Sequence, residues 1–121
     1  MRASRRPILR IYKHVLNKAE SINKRINKLK SDYNKQKVMR TINIRRAVLE
    51  ILEGAEPLAL PECQMMMELN GRIRPPVGKA EFDDEIGFLQ RRGFVTTVPD
   101  LLDEELVKWA ITEAGKTMLR Q

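Results

Sequence analysis

Apolar residues recur near the start of the chain at steps that alternate between four and three positions. The series, here called the apolar seam, consists of Ile8, Tyr12, Val15, Ala19, Ile22, Ile26, Leu29 and Tyr33. This heptad spacing predicts a long amphipathic helix. Gln36 and Arg40 occupy the next two positions of the series, so we expect the helix to end or bend between Tyr33 and Asn43.

Two further helices are predicted in the middle of the chain. The first is capped by Thr41 or Asn43, and its apolar face holds Ile44, Val48, Ile51 and Leu52. A short extended link follows, after which Pro61 suits the first position of the second helix. The buried face of that helix is expected to include Met65, Met66 and Leu69.

The last third of the chain predicts a helix, a β-hairpin and a closing helix. Phe82, Ile86 and Leu89 fall on one face of a helix over residues 79–92, and Gly93 is typical of the residue that ends a helix. Alternating and β-branched positions predict the hairpin strands. The predicted elements are a strand over 94–98, a loop over 99–105, a half-buried strand over 106–112 and a helix from about 112 to 119.

This order of elements, together with two sequence segments, resembles the winged helix-turn-helix superfamily. The segments are FLQRRGFV at 88–95 and WAITEAG at 109–115, which are similar to segments of small bacterial and prophage winged helix regulators. The resemblance implies a mainly α (α+β) winged helix domain over residues 41–121. Residues 1–40 would then form a separate basic arm and long amphipathic helix. The resemblance also implies DNA binding and transcriptional regulation, with helix 79–92 entering the major groove.

Charge divides the chain into a basic and an acidic part. Residues 1–46 contain fifteen Lys and Arg and two Asp and Glu, which gives a net charge of +13. Residues 47–121 contain eight Lys and Arg and fourteen Asp and Glu, which gives −6. The two parts sum to the overall net charge of +7. This asymmetry indicates an anionic partner for the first part. Three interpretations of the basic helix follow: it binds nucleic acid, it docks on an acidic protein surface, or its charges are simply solvated.

If the ligand is DNA, the N-terminal cations are expected to dominate binding. The loop over 99–105 carries four acids and no cation, and Asp83 and Asp84 lie on the face of helix 79–92 opposite its apolar face. Each neutralised phosphate releases counterions wherever the cation sits, so cations elsewhere can supply the affinity. The predicted DNA-binding residues are Arg2, Arg5, Arg6, Arg10, Lys13, Lys24, Lys28, Arg72, Arg74 and Lys79.

Two kinds of protein partner are also expected. The apolar seam predicts a homodimer, although like charges beside the seam disfavour a parallel coiled coil. The alternative to DNA binding is a protein-interaction winged helix, in which the acidic loop and helix 79–92 dock a basic partner. The predicted homodimer contacts are Ile8, Tyr12, Val15, Ile22, Ile26 and Leu29.

The candidate reactive residues form no catalytic or metal-binding constellation. His14 is the only histidine, and Cys63 is the only cysteine and is expected to be buried or inert. The acids at 83–85 are consecutive, so on a helix they do not face one another. We therefore expect no enzyme activity, no metal and no cofactor. The single cysteine predicts an intracellular, cytoplasmic chain. The lack of a long apolar run predicts that no transmembrane helix is present, and no membrane partner is expected; a membrane-surface role for the basic amphipathic helix is the least favoured alternative.

Overall fold

A computed structural model describes residues 5–121, with side chains from residue 9 onward. These residues form four helices and one three-stranded antiparallel sheet. The order of elements confirms the predicted mainly α fold with a C-terminal β-hairpin. The elements are α1 (Arg5–Ala55), β1 (Leu60–Pro61), α2 (Glu62–Arg72), α3 (Lys79–Arg91), β2 (Val95–Pro99), β3 (Val107–Ile111) and α4 (Glu113–Leu119).

Helix α1 is continuous over 51 residues, so the predicted end or bend between Tyr33 and Asn43 is wrong. The polar residues that interrupt the seam, such as Gln36 and Arg40, are good helix formers. Neither Pro nor Gly occurs in that stretch to break the backbone. The interruption therefore ends the apolar seam without ending the helix, and Thr41 is an interior helical residue rather than a cap.

The chain divides into two compact units, one ending at Val38 and the other covering residues 39–121. In the first unit, every described side chain of α1 is exposed. The apolar seam is open to solvent from Tyr12 to Tyr33, as shown by the 62% exposure of Tyr12 and the 68% exposure of Leu29. The division of roles between residues 1–40 and residues 41–121 stays a prediction.

The second unit has one hydrophobic core to which all its elements contribute. Ile44 and Leu69 are fully buried, and Phe82 is 1% exposed. The predicted apolar faces of α1, α2 and α3 are thus confirmed, except that Met66 is only partly buried. The buried residues are Ile44, Ala47, Val48, Leu49, Ile51, Leu52, Leu60, Met65, Leu69, Val77, Phe82, Ile86, Leu89, Val95, Trp109 and Ile111.

Strand β3 lies at the centre of the sheet, between β1 and β2. Trp109 on β3 pairs with Leu60 on β1 and with Thr97 on β2. Trp109 and Ile111 are buried, whereas Val107 remains 45% exposed at the outer end of the strand. The apolar side of the predicted half-buried strand is therefore buried only near the core.

Two glycines fix the connections on either side of the hairpin. Gly93 has φ of +76°, which lets the chain turn from α3 into β2. Gly115 lies so close to β2 that a Cβ there would sit 2.3 Å from the carbonyl oxygen of Phe94. Thr112 joins the two ends, because its hydroxyl donates to the carbonyl oxygen of Gly93 at 2.6 Å and accepts from the amide of Gly115 at 3.2 Å.

Element boundaries differ from the prediction by one or two residues. Pro61 is the N-cap of α2 and not its first helical residue, and α2 ends at Arg72. Strand β2 begins at Val95 and includes Pro99.

Candidate nucleic-acid interface

The first unit carries a face of cations that have no carboxylate partner among the described residues. Four cations are spaced along α1 at close to whole turns of the helix, so they lie on one side of it, away from the apolar seam. They are Arg10, Lys13, Lys24 and Lys28. All four are exposed. None has a carboxylate within 4.0 Å in the part of the chain that the structure describes. We call these four residues the basic face.

Three of the predicted DNA-binding residues lie outside the described side chains. Arg2 precedes the described residues, and Arg5 and Arg6 belong to α1, but their side chains are not described. The basic face therefore rests on four of the seven predicted N-terminal cations.

The predicted cations around the turn before α3 are partly neutralised within the second unit. Lys79 forms salt bridges with Glu62 and with Asp83, and the hydrogen bond from Lys79 to Glu62 raises the pKa of Lys79. Arg72 lies 3.4 Å from a carboxylate oxygen of Glu50. Arg74 is exposed and has no carboxylate within 4.0 Å among the described residues, so it is the turn cation most open to an anionic ligand.

Two acids of α3 point towards α1 and are paired there. Arg40 donates two hydrogen bonds to Glu81, and Arg45 forms a salt bridge with Glu85. The hydrogen bonds from Arg40 lower the pKa of Glu81, which keeps this carboxylate charged. These acids are neutralised by protein cations and do not belong to the solvent face of α3.

The solvent face of α3 carries charges of both signs. Asp83 and Asp84 are exposed near its start, and Gln90 and Arg91 are exposed at its end. Asp83 is balanced by Lys79, 3.3 Å away, whereas Asp84 has no cation within 4.0 Å in the described chain. Phosphates approaching this helix would therefore meet the unbalanced carboxylate of Asp84 and, at the other end, the guanidiniums of Arg91 and of the C-cap residue Arg92.

The loop between β2 and β3, residues 100–106, is here called the wing loop. Asp100 accepts a hydrogen bond from the amide of Leu102 at 2.7 Å and forms a salt bridge with Lys108 at 3.1 Å. These contacts, with the amide of Leu102 first, lower the pKa of Asp100. Leu101 and Leu102 are 100% and 98% exposed, and the next three residues are exposed acids. The wing loop is thus apolar and acidic and offers no cation to a phosphate.

In the described part of the chain, the remaining reactive groups do not cluster into a site. Cys63 is exposed, which excludes the buried alternative, and that this thiol is inert stays a prediction. No group of three or more His, Cys, Asp or Glu in the described chain could hold a metal ion. Among the described helices, none combines the length and the apolar character needed to cross a bilayer.

Solved structures share this architecture. A mutant of ZitR from Lactococcus lactis superposes with a TM-score of 0.53 at 16% identity, over 64% of this chain and 47% of that one. The PcaV transcriptional regulator of Streptomyces coelicolor, in complex with its natural ligand, gives 0.52 at 24% identity, over 63% and 48%. SSV1 F-93 gives 0.51 at 22% identity, over 64% and 78%. PcaV is a transcriptional regulator, and all three structures have the winged helix fold.

The chain has a winged helix fold. It spans about half the length of the ZitR and PcaV chains that it matches. No protein-family model matches the sequence. No curated protein matches it significantly. In this fold β2, the wing loop and β3 form the wing.

Sequence reasoning missed the arginines that organise α3. Arg40 and Arg45 were part of the basic N-terminal count, yet both bind acids of α3. The signal was their spacing: two cations five positions apart on one helix match two acids four positions apart on another. That signal becomes useful only once the two helices are known to be neighbours.

Proposed function

We propose that the protein binds DNA as a winged helix transcriptional regulator, with the basic face of α1 supplying much of the phosphate contact. The observation that carries this proposal is the set of four exposed, unpaired cations on the side of α1 away from the seam. Cations without a carboxylate partner are free to neutralise phosphates and release counterions. Such contacts position a protein on a duplex and do not read its sequence.

The winged helix of the second unit would then make the weaker contribution to affinity. Arg74 on the turn and Arg91 and Arg92 at the end of α3 are exposed and have no carboxylate within 4.0 Å among the described residues, while Asp84 and the wing loop repel phosphate. Recognition of a DNA sequence by α3 would depend on direct contacts to the bases from residues such as Gln90, because a Gln side chain can form hydrogen bonds with adenine.

Fluorescence anisotropy of a labelled duplex across a salt series tests this proposal. The test variant changes Arg10, Lys13, Lys24 and Lys28 together to Gln. The slope of log affinity against log salt should fall by about 0.9 for each lost phosphate contact.

The matched control changes Lys18, Arg25, Lys30 and Lys37 to Gln, which removes the same charge from positions beside the apolar seam. This control should keep most of the salt slope. An equal reduction of the salt slope in the two variants would show that net charge, and not the basic face, governs DNA binding. No binding by the native chain at low salt would refute DNA binding itself.

We also propose that two copies associate through the apolar seam. Leu29 and Ile22 are 68% and 54% exposed, and burying such side chains against a second copy is favourable by about 1.5–3 kcal/mol each when burial is complete. Ile22→Asp together with Ile26→Asp should remove the association that depends on the seam and so lower the average mass measured by sedimentation equilibrium. Asn23→Asp with Asn27→Asp adds the same charge outside the seam and should leave the mass unchanged.

A second candidate function is docking of a basic protein partner by the acidic surfaces of the winged helix. The exposed acids of the wing loop and the unbalanced Asp84 favour it. Asp83→Lys with Asp84→Lys should abolish capture of such a partner, and this double variant should at the same time strengthen DNA binding if phosphates approach α3. Unchanged capture would exclude α3 as the docking surface.

A further inference from the structure

An arginine-lined pocket lies within the second unit, on the side of α1 that meets the end of α3 and the last helix. Its volume is about 340 Å³. The walls are mainly apolar and include Leu49, Phe88, Phe94 and Leu119, and three arginines line it as well: Arg45, Arg46 and Arg92. We call this cavity the arginine pocket.

The three arginines differ in how far they are neutralised. Arg45 is bound to Glu85, and its guanidinium lies 3.5 Å from the centre of the Phe88 ring. Arg92 lies 5.1 Å from the same ring. Arg46 and Arg92 are exposed, and neither has a carboxylate within 4.0 Å in the described chain. The pocket therefore combines apolar walls with two uncompensated positive charges, which suits an occupant that is both apolar and acidic.

The wing loop has this same combination of properties. Leu101 and Leu102 are almost completely exposed, and the acids at 103–105 follow them directly. Two side chain-to-backbone hydrogen bonds hold the loop in shape: Asp100 accepts from Leu102 at 2.7 Å, and Asp103 accepts from Glu105 at 2.9 Å. A loop that is already ordered loses less entropy when it binds.

We infer that the wing loop of one copy docks in the arginine pocket of a second copy of this chain. Leu101 and Leu102 enter between the apolar walls, and the acids that follow them face Arg46 and Arg92. The leucines are exposed in the free chain, so the loop does not fill the pocket of its own chain. The contact joins two different surfaces, so it can repeat from copy to copy. It involves neither DNA nor the apolar seam, and it stands independently of the proposed function.

A disulfide trap in the full chain tests the contact directly. In a Cys63→Ser background, one tagged copy carries Leu102→Cys and an untagged copy carries Met118→Cys, a residue that lines the pocket. Mild oxidation of the mixture should link tagged to untagged chains. The control replaces Met118→Cys by Met67→Cys, which lies on α2 and is 76% exposed. Trapping no faster than in the control would overturn the inference.

A charge exchange tests whether the arginines and the acids recognise each other. One variant carries Arg46→Glu with Arg92→Glu, and the other carries Glu104→Lys with Glu105→Lys. Each variant alone places like charges at the contact and should lose at least tenfold in the association constant measured by sedimentation velocity. An equimolar mixture restores opposite charges at the contact between the two variants and should recover association. A mixture that associates no better than its components would refute the contact.

The leucines provide a test that leaves net charge unchanged. Leu101→Ser with Leu102→Ser should reduce assembly to whatever the apolar seam alone supports. Leu58→Ser with Met67→Ser removes apolar side chains that are 70% and 76% exposed elsewhere and should leave assembly unchanged. If a small organic acid or another protein is the true occupant, the leucine variant will assemble like the native chain, and self-docking is excluded.

Discussion

Arg40 donates two hydrogen bonds to Glu81, from Nε to Oε2 at 2.8 Å and from Nη2 to Oε1 at 2.9 Å. The two residues are 41 positions apart, and their pairing ties α1 to α3 within the second unit. A bidentate pair of this kind restricts the orientation of both side chains as well as their distance. It also removes one carboxylate from the set that could repel a phosphate at α3.

Removing this pair should destabilise the protein modestly. Glu81→Gln should lower the free energy of unfolding by about 0.5–1 kcal/mol, since the side chains of Arg40 and Glu81 are 24% and 38% exposed and solvent screens the charges. Chemical denaturation measures this change, and a double-mutant cycle with Arg40→Gln isolates the coupling. The control is Glu68→Gln, an exposed acid of α2 without a cation within 4.0 Å among the described residues, which should change little. A coupling of zero would contradict the structure.

The same pair predicts a pH dependence. The hydrogen bonds from Arg40 hold the pKa of Glu81 below its ordinary value of 4.5. The stabilisation is therefore fully present above the pKa of the unfolded chain and is lost as the pH falls through the lower folded pKa. Native protein should lose more stability than the Glu81→Gln variant when the pH is lowered from neutrality to below 4.5. Parallel pH profiles for the two proteins would show that Glu81 makes no such contribution.

Gly115 should tolerate no side chain. A Cβ there would meet the carbonyl oxygen of Phe94 at 2.3 Å and Cγ1 of Ile111 at 2.7 Å, so α4 would have to move away from the sheet. Gly115→Ala should lower the free energy of unfolding by about 1–3 kcal/mol. Gly54→Ala is the matched control, because nothing lies within 4 Å of its Cβ position in α1. That change should raise stability by about 0.4–1 kcal/mol, so the two substitutions are expected to have opposite signs.

Phe82 should be the most sensitive position on α3. It is 1% exposed at the centre of the core, and Phe82→Ala should lower the free energy of unfolding by about 3–5 kcal/mol. Leu101→Ala removes an apolar side chain that is fully exposed, and the denaturation midpoint should stay within error of the native value. A large loss for Leu101→Ala would mean that the wing loop contributes to the core.

The continuity of α1 can be tested within the segment where the seam is interrupted. Gln36→Pro should reduce the far-ultraviolet helical signal, because proline removes a backbone donor and clashes with the preceding turn. Residues 39–121 contain their own core, so their cooperative unfolding transition should keep its midpoint. Gln36→Ala should preserve both signals. No loss of helical signal in the proline variant would indicate that α1 is already broken in this segment, as the sequence pattern predicted.

Features that depend on near neighbours along the chain could be predicted from the amino-acid sequence. Phe82, Ile86 and Leu89 share a helical face because the helix repeats every 3.6 residues, and they do form one buried row on α3. The stop at Gly93 followed from the conformational freedom of glycine. The difference in net charge between residues 1–46 and residues 47–121 likewise followed from the amino-acid sequence alone. The one large local error was the break in α1, where loss of the seam was mistaken for loss of the helix.

Which distant residues meet became known only from the packing of the whole chain. The pairing of Arg40 with Glu81 depends on how α1 and α3 cross, and no local periodicity contains that information. The arginine pocket arises in the same way, from residues around positions 45, 90 and 118 brought together by packing of the core. The periodicity of helices and strands specifies which side of each element is apolar. Which other element packs against that side depends on how all the elements fill the core together.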